Sequence, residues 1–224
     1  MQVSEALQRR ISIRQFLADP VDRQQVTQIL DVARWSPSGG NLQPWRVIAV
    51  AGEARQAVIE LAHKSLAPGA MELPEERPIY PPNLWEPYRS RRYQLGEDMY
   101  ALLGIARTER DRRLGQWARN YEFFGAPVGL FFVIDQRFGH AQWAHLGMFM
   151  LSVALAAIER GLGSCMQEAW AAVRPQLKRH FGLAEEDMIY CGMSLGYPDL
   201  SAAVNQLRSE RVAVDEFTSF RGFE

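Results

Sequence analysis

Ser36-Pro37-Ser38-Gly39-Gly40-Asn41-Leu42-Gln43-Pro44-Trp45 stands where a helical pattern stops and a β-branched run begins. The two prolines restrict the backbone, and the paired glycines permit a positive φ or the close approach of a ligand. Ser38, Asn41 and Gln43 add donors and acceptors. A plain helix-to-strand turn uses the same residue types, so the loop alone fits either a connection or a binding site. Its flanks carry the argument further.

Upstream, residues 3–10 form a short amphipathic segment, and Ile11-Ser12-Ile13-Arg14-Gln15-Phe16 alternates apolar and polar residues as an extended segment does. That alternation puts Arg10, Ser12 and Arg14 on one side. Two guanidinium groups and a hydroxyl suit a phosphate, although a solvated basic face has the same composition. Asp19-Pro20-Val21 then leads into a helix over residues 22–35, with Val26, Ile29, Leu30 and Ala33 at helical spacing.

Downstream, residues 46–51 read as a buried strand and residues 53–66 as a helix. Six prolines in residues 68–93 predict an excursion without long regular structure, and Tyr80, Trp85, Tyr88 and Tyr93 are spaced through it. Such a segment covers a flat ligand, wraps a partner, or packs on its own domain. Helical patterns follow over residues 95–103 and 108–124. Gly125-Ala126-Pro127 stops the second before Val128-Gly-Leu-Phe-Phe-Val-Ile-Asp135, which has the residue types of a central strand.

Residues 143–159 are apolar nearly all round, which predicts burial in the core or, by preference, against a second subunit. Gly161-Leu162-Gly163-Ser164 has two glycines of a dinucleotide fingerprint. Position 166 is Met and the run follows a helix, so the better reading is a helix stop at Gly161 leading to a strand that presents Met166, Gln167 and Glu168. A helix over residues 173–181, a buried strand over 188–196 and a tail over 202–224 complete the chain. A tail of that length stays ordered by docking on something.

Composition sets the frame: 224 residues, 47% of them hydrophobic, suit a single domain with one sizeable core. A net charge of −1 gives no long-range attraction to nucleic acid or an anionic membrane, and no window reads as membrane-spanning. The first residues lack a signal-peptide pattern, so a soluble cytoplasmic protein is expected. Cys165 and Cys191 read as buried reduced thiols. His140 and His145 are spaced unlike metal ligands, no metal is expected, and no nucleophile has a base in register.

Arg10-Ile-Ser-Ile-Arg14, Pro37-Ser-Gly-Gly-Asn-Leu-Gln-Pro-Trp45, Gly161-Leu-Gly-Ser164, Gly192-Met-Ser-Leu-Gly-Tyr-Pro-Asp199 and the tail Asn205-Gln-Leu-Arg-Ser-Glu-Arg211 together resemble the FMN-dependent nitroreductase family, in order and at similar separations. Ile11 departs from the pattern, since the family often has arginine or histidine there. The resemblance implies an α+β fold, a three-layer α/β/α sandwich with a mostly antiparallel sheet, in an intertwined homodimer with two FMN sites at the interface.

It further implies that Arg10, Ser12, Arg14, Gln167, Glu168, Arg208 and Arg211 serve one flavin from one subunit, while Pro37, Ser38, Gly39, Asn41 and Gln43 reach it from the other. Residues 68–93 become a lid insertion and residues 202–224 a dimer-embracing tail. The implied activity is ping-pong hydride transfer from NADPH or NADH to a small aromatic acceptor, a nitroarene first and a quinone next, with no side chain as obligatory catalyst. Reductive dehalogenation, flavin fragmentation and flavin binding without turnover are the alternatives. The lid segment contains no lysine, unlike the deiodinase branch of the family.

Overall fold

Val128–Asp135 forms β2, and its unbroken apolar run has a direct structural cause: the strand is covered on both faces. It pairs antiparallel with β1 (Arg46–Ala51) on one side and β4 (Asp187–Gly196) on the other. The strand β3 (Gly163–Gln167) pairs antiparallel with β4, so the sheet order is β1-β2-β4-β3. The fold is that of a computed structural model whose described residues are 1–67 and 79–223.

Alternation along β2 feeds two cores. Leu130, Phe132 and Ile134 enter one with α2 (Arg23–Ala33) and α6 (His140–Glu159). Phe131 and Val133 enter the other with α3 (Gly52–Ser65) and α7 (Arg174–His180). This is the expected α+β arrangement of three layers, with every sheet neighbour antiparallel. Leu146, on α6, is fully buried, so Leu146→Ala costs about 2–5 kcal/mol.

Local signals set the ends of α2. Asp22 accepts from the Gln25 backbone N–H at 2.7 Å and Gln25 Oε1 accepts from the Asp22 N–H at 3.1 Å, a reciprocal cap before Arg23. Other boundaries depart from expectation. The helix expected from residue 95 begins at Tyr88 as α4 (Tyr88–Leu102), because Pro87 occupies the position before its first turn, where no N–H is needed. The proline-rich reading therefore does not extend through residue 93, and residues 68–78 of that segment lie outside the described residues.

The helix expected over residues 108–124 is also divided. It becomes α5 (Arg110–Ala118) and a 3₁₀ stretch, Arg119–Gly125, in which Phe123 and Phe124 both have φ of +53°. No periodicity signals a left-handed pair of aromatics. The helix α6 starts three residues before its expected start, and by length and composition it could cross a membrane, contrary to the sequence reading. In the fold it packs against α2, β2 and β3. Burial is one-sided, since Met148 and Leu151 remain exposed.

Candidate functional site

The segment after α1 (Val3–Arg9) runs extended beside the open edge of β3. Ser12 bridges Ser164, the Ile13 N–H donates to the Ser164 carbonyl at 3.0 Å, and Leu17 N–H donates to Tyr197 O at 2.9 Å. Ile11 and Ile13 pack into the second core while Arg10, Ser12 and Arg14 stay half-buried, and the Arg14 charge, a Ser12 hydrogen bond and the Arg10 charge favour the ionised form of the Cys165 thiol. Burial still dominates and raises that thiol above its ordinary value. Both cysteines are free and buried, and burial pushes Cys191 up to about 12.

Asn205 locks this segment from the far end of the chain. Its side chain accepts from the Arg14 N–H at 2.8 Å and donates to Gln15 O and Asp199 O, each at 2.8 Å. Arg208 follows one short turn later and donates to the Asn205 carbonyl at 3.0 Å, which ties it to the same cluster. Arg211 is not brought in by any hydrogen bond: it is exposed and donates to Ser209 and to the Glu210 carbonyl. Among the described residues Arg10, Arg14, Arg208 and Arg211 have no carboxylate within ion-pair distance.

Further along β3 a cleft of about 410 Å³ opens, lined by Met166, Gln167 and Glu168 together with Asn120, Trp117 and Tyr190. The side-chain amide of Gln167 is already committed, donating to Asn120 O at 2.7 Å and accepting from Trp170 Nε1 at 3.4 Å. Glu168 starts the 3₁₀ stretch Glu168–Val173 instead of ending the strand. It is an exposed residue, yet desolvation raises its carboxyl above the usual range.

Tyr190 reaches the cleft because β4 carries one extra residue there. Phe132 pairs with Cys191 and Val133 with Ile189, so Tyr190 is bulged out of register. Burial, then the Glu168 charge, raises its hydroxyl. Beneath the cleft Trp117, Tyr121 and Trp170 meet edge to face at 5.3 Å each. Gly192 leaves the room this needs, since a Cβ there would overlap the Trp170 ring. Asn120, Trp117, Tyr80 and Tyr190 are cleft residues that the sequence did not assign.

The opening loop lies elsewhere. It runs along α6, where Gly39 passes so near His145 that a Cβ would sit 3.2 Å from Cε1. Gly40, Asn41 and Gln43 take φ of +60°, +55° and +47°, and the Gln43 N–H donates to Ser38 Oγ at 2.9 Å. Left-handed backbone at Asn is mild, and at Gln it is strained. Pro37, Asn41 and Gln43 are exposed, and among the described residues no hydrogen bond or ion pair joins the loop to Arg10, Ser12, Arg14 or Arg208. Among the described residues no group of His, Cys, Asp and Glu could hold a metal ion.

An antiparallel sheet between two helical layers, with clustered arginines at its edge strand, is the arrangement of a known class of proteins. The Nitroreductase family matches residues 7–197, and the chain belongs to that family. It is 36% identical over 222 residues to a nitrobenzene nitroreductase from Ectopseudomonas oleovorans, covering 97% of this chain and 96% of the relative. It is 37% identical over 218 residues to a 4-nitrobenzoate reductase from Pseudomonas putida, covering 96% and 93%. The crystal structure of the FMN and NADPH-dependent nitroreductase NfnB from Sphigopyxis sp. strain HMH superimposes with a TM-score of 0.94 at 41% identity, covering 100% of both chains.

Proposed function

We propose that the chain is an NAD(P)H-dependent FMN nitroreductase, a single-domain cytoplasmic enzyme that reduces small nitroaromatic acceptors, and quinones next, as a homodimer. The observation that carries this reading is the arginine set without carboxylate partners, gathered around Ser12 at the edge of β3 and next to an aromatic-lined cleft. The named activities of the relatives and the cofactors of NfnB support it.

The donor set fits FMN. A phosphate with nearly two negative charges matches paired guanidinium donors and a small hydroxyl that carry no competing anion. Arg10, Ser12, Arg14 and Arg208 would hold the phosphate, with Arg211 requiring a turn away from its own backbone carbonyls. When bound, FMN supplies the electron transfer from NAD(P)H to the acceptor. The chain does the rest: Asn205 fixes the backbone of the cradle, Gln167 braces Asn120 at the cleft wall, and Trp117 and Tyr80 offer flat surfaces for an aromatic acceptor while keeping water out.

The homodimer rests on two features. A groove of about 340 Å³ is lined by Val3, Val32, Trp35, Pro37 and Leu155, and Trp35 is 79% exposed and Val3 74%. Apolar surface of that kind is characteristic of an interface. In such a dimer Pro37, Ser38, Gly39, Asn41 and Gln43 serve the partner's flavin, and residues 202–223 embrace the partner. Reconstitution tests the whole: the purified protein binds FMN and oxidises NAD(P)H with a nitroarene. Absence of flavin absorbance, with added FMN neither binding nor supporting oxidation, defeats the reading.

A further inference from the structure

The two relatives named above at nearly equal identity act on acceptors of different charge, one neutral and one a carboxylate, so identity does not decide between them. The cleft does. Its described walls contain one carboxylate, Glu168, and no Lys or Arg side chain. Glu168 makes no hydrogen bond and no ion pair with any described residue, while Met150, Met166, Ala169 and Ala172 give the cleft its apolar walls. Two cations stand beside the cleft without lining it. Arg174 is buried and donates to the Ile189 carbonyl at 2.6 Å, and exposed Arg92 lies over the Tyr80 ring, 4.1 Å from its centroid.

We propose that Glu168 makes the cleft select uncharged nitroarenes over nitroarenes bearing a carboxylate. The inference rests on the nitroreductase reading. An acceptor carboxylate brought into this cleft loses water, meets no cationic side chain among the described lining residues and faces the like charge of Glu168 across apolar walls. Rejection by an unpaired like charge is a direct route to specificity. A neutral ring of the same shape meets only the aromatic and methionine surfaces.

The test compares 4-nitrobenzamide with 4-nitrobenzoate on the FMN-loaded protein at about pH 8, where free carboxylates are ionised. The amide is expected to have kcat/KM about tenfold or more above the acid, and benzamide to bind about tenfold more tightly than benzoate by calorimetry. Glu168→Gln should reduce both ratios severalfold. Equal or inverted ratios in the native protein overturn the inference while leaving the nitroreductase reading intact. Ratios unchanged in Glu168→Gln remove Glu168 as their cause. Reduction of neither acceptor defeats the underlying reading as well. The calorimetric pair in the native protein decides the charge preference even where the variant fails to fold.

Discussion

Arg113 and Arg14 are both half-buried, and their surroundings differ in one respect. On α5, Arg113 is gripped by Glu97 through two hydrogen bonds of 2.6 and 3.1 Å and lies 4.2 Å from the Tyr100 ring centroid. At the sheet edge Arg14 has a single 3.4 Å contact to the Ser12 carbonyl and no carboxylate. The same division runs through the chain: Arg89, Arg112 and Arg137 pair with acids, whereas Arg10, Arg14 and Arg208 do not. Not every arginine without an acid is free for a ligand, since Arg119 donates to Gln15 Oε1 and to the Phe124 carbonyl. On the proposed reading, the set around Ser12 is charge held in readiness for a phosphate.

Four substitutions or conditions sharpen this contrast. Asn205→Ala should have the largest effect, because Asn205 is 1% exposed and three backbone groups lose their partner. A loss of about 3 kcal/mol, or about 6–12 °C in Tm, is expected by thermal unfolding. Arg14→Ala should leave the circular dichroism spectrum intact and weaken FMN by about 1.5–3 kcal/mol, from tenfold to over a hundredfold. Riboflavin, which lacks the phosphate, should be affected far less. Equal loss for both ligands would place Arg14 with the structural group.

Arg113→Ala should do the reverse, lowering Tm by about 1–3 °C with no change in FMN affinity. The smallest effect concerns pH. The Arg137 guanidinium holds the Asp135 carboxyl at about 2. A carboxyl depressed in the folded state stabilises above its unfolded value and loses that contribution as pH falls. Acid unfolding curves should therefore show the Asp135 contribution fading between about pH 4 and about pH 2. In Arg137→Ala this window should narrow.

Much of this was legible because the signals are local. The run at residues 128–135 specified a strand buried on both faces, and the alternation of Arg10, Ser12 and Arg14 specified a shared side. Asn205 was quoted within the tail motif, but its role was not readable, since two of its three partners lie 190 and 191 residues away. Tyr190 depended on a register shift that no residue type announces. Asn120 sits in a 3₁₀ stretch that ends in two left-handed phenylalanines, where tertiary packing around Trp170 overrides helical periodicity. Arg211 shows the opposite case: the motif is present, while the side chain is turned to its own neighbours.

The Asn205 lock also bears on biosynthesis. In the sheet order β1-β2-β4-β3, β3 is synthesised before the strand that must come between it and β2. Ser12 finds Ser164 only once β3 is seated, and Arg14 is fixed only when Asn205 has left the ribosome. The contacts that join the cradle's two ends are therefore long-range, and closing it falls late in a chain made from the N-terminus. A nascent chain halted before residue 205 would carry the four strands of the sheet yet leave the backbone at Arg14 and Gln15 without its Asn205 partner. On the proposed reading of this cluster, capture of FMN would wait for the last tenth of the chain to reach the first.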